Sequence, residues 1–140
     1  MDAALIIESL ETAAERCPDL TPLVYERLFA EHPEMEALFI RDSDGSVRGE
    51  MLAGVFEAIL DFLGPGFYAA RLIQCEVVTH EGYGVPRDIF AVFFGTVARA
   101  IAQVNGANWT RAMQGAWDEL LARLDHFVTH PDQFATADLG

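Results

Sequence analysis

His80 stands where a helix running from Phe67 closes and the turn Glu81-Gly82-Tyr83-Gly84 opens. Val85 follows five residues later and Phe90 ten. An imidazole at the C-terminal end of an apolar helix, with two large apolar side chains returning toward it, suits a residue that faces a flat apolar ligand and coordinates a metal at its centre. By itself the pattern leaves two readings open, because a lone histidine on an apolar face is more often a satisfied core residue than a ligand. The other histidines, His32, His126 and His130, fall at helix ends among acidic and polar residues, where a cation suits the negative end of the helix dipole, and they read as surface.

The elements that would position such a site are all helical. Asp2 is a good N-cap for a helix carrying Ile6, Leu10, Ala13 and Cys17, which Pro18 ends. Thr21-Pro22 starts a second, with Tyr25, Leu28 and Phe29, to about His32. Pro33 begins a short third segment with Leu38 and Phe39 on one side, and 41–46 is a polar, Gly-containing loop. From about Ser46, the positions Met51, Val55, Ile59 and Phe62 form an apolar face that stops at Gly64-Pro65-Gly66. The helix bearing His80 follows, then one from Pro86 with Phe90, Phe93, Phe94, Val97 and Ile101 inward, broken at Asn105-Gly106-Ala107-Asn108. The last runs from Thr110 to about Thr129 with Met113, Trp117, Leu120, Leu121 and Leu124 on one stripe. Nothing alternates with period two, so the sequence predicts an all-α chain of about seven helices. A loosely held tail is expected over 131–140.

At 140 residues the chain makes one domain, 1–140, with room for a single core. It is 51% hydrophobic, yet its apolar runs are too short to span a bilayer, and no secretory signal is visible at Met1-Asp2-Ala3-Ala4-Leu5. Cytoplasm is the location expected. A net charge of −13, with its nine basic residues all scattered arginines, disfavours nucleic-acid and membrane partners. Cys17 and Cys75 have no metal-like spacing and read as small core residues.

In order and spacing these residues resemble the bacterial single-domain globins and the globin domain of flavohaemoglobins, from roughly Asp2 to Thr129. The resemblance implies a globin fold holding haem b, with His80 as the proximal metal ligand. Tyr25, in Val24-Tyr25-Glu26-Arg27-Leu28-Phe29, matches the tyrosine that projects over the distal haem face. Phe39, after Pro33-Glu34, matches the phenylalanine that wedges against the haem; Val85 the corner residue; Phe90 a contact on the following helix; and Trp117 the last-helix tryptophan. The position that often carries a distal Gln or His falls on Met51, with Val55 one turn further in. A thioether is only a weak acceptor, so Tyr25 is the one strong donor implied for the distal pocket. Met51 reads as a flexible core filler rather than an iron ligand.

The function so implied is reversible binding of oxygen, or another diatomic gas such as NO or CO, at a five-coordinate iron. Two alternatives stay open: nitric-oxide dioxygenation with a separate flavin reductase as partner, and a haem-based gas sensor. One departure weighs against the enzyme. The tyrosine that supports the proximal histidine in flavohaemoglobins is replaced by Phe90, or by Ile89 in the other register, and neither donates a hydrogen bond. Glu76 reads as a solvated carboxylate, and Arg48 and Arg71 are offered as partners for the haem propionates.

Overall fold

The computed structural model of the chain describes residues 2–39, 42–64 and 87–129, with the side chains of 87–91 and 127–129 outside the description. Those residues form five α-helices and no strand: α1 (Ala3–Arg16), α2 (Thr21–Glu31), α3 (Ser46–Leu63), α4 (Arg87–Asn105) and α5 (Arg111–Thr129). Two 3₁₀ segments, Pro33–Phe39 and Gly106–Asn108, stand between them. No helix among the described residues is long and apolar enough to cross a membrane. The helix expected over 67–80 lies outside the described residues, as do His80, Val85, Cys75, Arg71, Glu76, His130 and the tail from Pro131.

The helix ends follow local chemistry. Asp2 accepts a hydrogen bond from the Leu5 N–H at 3.3 Å and so caps α1, which stops one residue before Cys17. Pro22 sits in the first turn of α2, and the carboxylate of Asp19 takes the Thr21 N–H at 3.0 Å. Thr110 caps α5 through its hydroxyl, which accepts from the Met113 N–H at 3.1 Å. Leu38 departs from expectation: it is 51% exposed, while Met35 is the buried residue of its segment and Phe39 is half-buried. The segment winds as a 3₁₀ helix, whose neighbours point about 120° apart, so Leu38 and Phe39 do not share a side.

The core is built on α4 against α5, with α1 laid on both and α2 on α4. Phe93, Phe94, Val97 and Ile101 face inward from α4, and Met113, Trp117, Leu120 and Leu124 from α5, as their spacing requires. Where α1 meets this pair, buried polar groups fix the register. The Trp117 indole N–H donates to the Ser9 hydroxyl at 2.9 Å, and the Asn105 amide donates to the Ser9 and Ile101 carbonyls at 3.0 and 2.9 Å. Arg16 closes the end of α4 by donating to the carbonyls of Val104 and Asn105 at 3.1 and 2.6 Å, supplying donors where a helix leaves carbonyls unpaired.

On the other side of α4, α2 carries the Pro33–Phe39 segment and packs on α3. Leu52, Val55, Ala58 and Ile59 are the buried residues of α3, so its inward face includes the expected Val55 and Ile59, while Met51 is only half-buried.

Candidate functional site

The described part of the site gathers around Tyr25. Helical spacing places Val24, Tyr25 and Leu28 on the buried face of α2, and Tyr25 is 3% exposed. Three phenylalanine rings surround its ring: Phe39 edge-on at 5.3 Å between centroids, Phe93 at 5.7 Å and Phe29 at 5.9 Å. Such tilted and edge-on pairs are favourable orientations for aromatic quadrupoles and hold the phenol in one place. The structure thus joins Tyr25 and Phe39, and puts both with Val55 in or against the same apolar core. Phe90 lies on α4, its side chain outside the description. Phe29 and Phe93 were legible in the sequence as helical core residues and became part of this site only through the folding of α2 against α4.

One polar atom enters the aromatic cluster. The Tyr25 hydroxyl donates to the backbone carbonyl of Arg48 at 3.0 Å. Burial pushes the phenol well above the ordinary tyrosine range, only partly offset by the Arg48 charge, so the group is a neutral O–H donor at any physiological pH. A cleft of about 390 Å³ is lined by Phe29, Glu36, Ala37, Phe39 and Arg48.

The carbonyl that Tyr25 meets is held by a second group, Asp42. Gly45, at φ 77°, turns the chain through the left-handed region that a side chain would resist, and this brings Asp42 back beneath the first turn of α3. The carboxylate of Asp42 accepts from the backbone N–H of Val47 at 3.1 Å and of Arg48 at 3.0 Å, and from Arg48 Nε at 3.0 Å. Arg48 Nη2 closes the ring on the Asp42 carbonyl at 3.1 Å. Arg48, offered above as a propionate partner, is therefore already paired. Its Nε is engaged inside the protein with a carboxylate whose side chain is 4% exposed. Desolvation pushes the Asp42 carboxyl up, but the two backbone N–H bonds and the guanidinium outweigh it and hold the group below the usual carboxylate range.

That balance sets a pH dependence. A carboxylate with a depressed folded-state value contributes stability that is complete above its unfolded value, 3.8, and is lost as pH falls through the lower folded value. Asp42→Asn should be less stable than the wild type near neutral pH, and the gap should narrow by about pH 3. Urea unfolding of both proteins at the two pH values measures it, and a constant gap would show that the Asp42 charge is not what stabilises this turn.

The family model for globins matches residues 23–128, from the start of the Tyr25 face to the end of α5. No curated protein and no solved structure matches the chain. The helices of the described residues and the match over most of the length place the chain in one family: it belongs to the globins, with their fold and their general association with haem and small gaseous ligands.

Proposed function

We propose that this globin holds haem b through His80 and binds oxygen reversibly, with Tyr25, Phe39, Met51 and Val55 on the gas side of the pocket and Val85 and Phe90 on the histidine side. The observation that carries the reading is Tyr25, a neutral hydroxyl donor buried among Phe29, Phe39 and Phe93. Haem is a flat and mainly apolar ring, and the Phe29, Phe39 and Phe93 rings gathered around Tyr25 suit it. When bound, haem would be held by His80 and would supply an iron able to bind a diatomic gas. The rings exclude water, which keeps the local dielectric low and strengthens any hydrogen bond the phenol gives to a partly negative gas molecule. NO and CO are further ligands of the same site, and the cytoplasm is its setting.

The carrier and the nitric-oxide dioxygenase separate on turnover. Converting oxygen and NO to nitrate oxidises ferrous protein to ferric, so a second cycle needs one electron from a reductant. On the resemblance, Phe90, or Ile89 in the other register, stands where the dioxygenases carry a proximal tyrosine donor, and neither donates a hydrogen bond. The oxygenated protein should consume NO once and then stall with NADH as the sole reductant, followed by an NO electrode. Sustained consumption with NADH alone would contradict the carrier reading, and turnover restored only by a flavin reductase would favour the enzyme.

A further inference from the structure

We propose that Asp42 and Arg48 together are the positioning device for the Tyr25 hydroxyl: they fix a backbone carbonyl as a competing acceptor, and so govern how readily that hydroxyl turns to a gas molecule. The gas-binding part of this inference rests on the function proposed above.

A phenol has one proton to give. In this structure it goes to the Arg48 carbonyl, at 3.0 Å. Arg48 lies in the first turn of α3, where a helical carbonyl accepts from the amide four residues on. A carbonyl has two lone-pair sites, so Tyr25 occupies the second, and its departure leaves no helix acceptor unpaired. The hydroxyl is therefore held by a bond it can give up without breaking the helix.

What keeps the carbonyl in reach is the Asp42 clamp. Its bonds to the Val47 N–H, the Arg48 N–H and the Arg48 guanidinium fix the backbone of this turn, and the carboxylate is too buried for water to compete freely. Loosening the clamp lets the first turn of α3 relax and takes the Arg48 carbonyl away from the phenol. The hydroxyl then loses its resting partner and donates to a gas molecule at less cost, so the ligand leaves more slowly.

The test combines two readouts on Asp42→Asn, Tyr25→Phe and the double variant. In the haem-free protein, the ¹³Cζ resonance of Tyr25 should move toward that of a free phenol in Asp42→Asn, with faster hydrogen exchange at the Val47 and Arg48 amides. In the haem-loaded protein, Asp42→Asn should slow oxygen release roughly two- to tenfold, the worth of one neutral hydrogen bond, and should have no such effect in the Tyr25→Phe background. Arg48→Gln keeps the carboxylate on the two amides and should shift release in the same direction by less; if Asp42→Asn does not fold, Arg48→Gln carries both readouts. An unmoved Tyr25 resonance, or the same change in release with and without the Tyr25 hydroxyl, overturns the proposal. If Tyr25→Phe itself leaves release unchanged, the gas-binding role of Tyr25 fails instead, and the haem-free resonance still decides whether Asp42 positions the hydroxyl.

Discussion

Replacing Tyr25 by phenylalanine should speed oxygen release from the haem-loaded protein roughly five- to thirtyfold. A hydrogen bond to a charged acceptor contributes about 1.5–3 kcal/mol and a neutral one about 0.5–1.5 kcal/mol. In the wild type the phenol leaves the Arg48 carbonyl before it serves a gas molecule, so the gain is the difference, about 1–2 kcal/mol. Each 1.4 kcal/mol is about tenfold. The sequence alone, blind to that carbonyl, implies the larger figure of a hydrogen bond made without exchange. Stopped-flow displacement of oxygen by CO reads the rate directly. A rate within twofold of the wild type would remove Tyr25 from the ligand's surroundings.

The second large effect is on stability. Trp117 is fully buried, and its indole both fills the junction of α1, α4 and α5 and donates to Ser9. Trp117→Ala should cost roughly 3–5 kcal/mol, through lost apolar contact and the cavity left behind. A domain of this kind has about 5–15 kcal/mol in total, so the variant keeps a reduced margin. Trp117→Phe should cost distinctly less, because it keeps much of the ring volume and loses mainly the N–H bond, about 1 kcal/mol. Urea unfolding followed by circular dichroism compares the three proteins. Equal stabilities for wild type and Trp117→Ala would show that the junction repacks around the missing ring.

Particular residues show what could be read before folding. Periodicity fixed the inward faces of α4 and α5 at Phe93, Phe94, Val97, Ile101, Trp117 and Leu124, because burying one stripe of a helix leaves a strong trace in spacing. The cap at Asp2 is legible for a local reason, the distance from a side-chain oxygen to an N–H three residues on, whereas Thr110 reads as the first residue of its helix and the structure makes it the cap. Leu38 misled because its segment is a 3₁₀ helix, and nothing in Glu34-Met35-Glu36-Ala37-Leu38 marks the tighter winding. In the sequence, Asp42 reads only as part of a polar loop. Its reach to Val47 and Arg48 spans five and six residues and depends on the left-handed turn at Gly45. The meeting of Tyr25 with the Arg48 carbonyl joins two helices, so it belongs to packing and not to any local pattern. His80 and Val85 lie outside the described residues, and their roles rest on the resemblance.

The absorption spectrum of the purified protein, taken ferric, ferrous and with CO and set beside that of His80→Ala, bears most directly on the haem assignment. Haem b is expected in the wild type, with a high-spin five-coordinate ferrous form, and loss of that spectrum or of haem affinity is expected in His80→Ala. A variant that keeps the wild-type spectrum, or a low-spin ferrous protein that becomes high-spin in Met51→Leu, would contradict it.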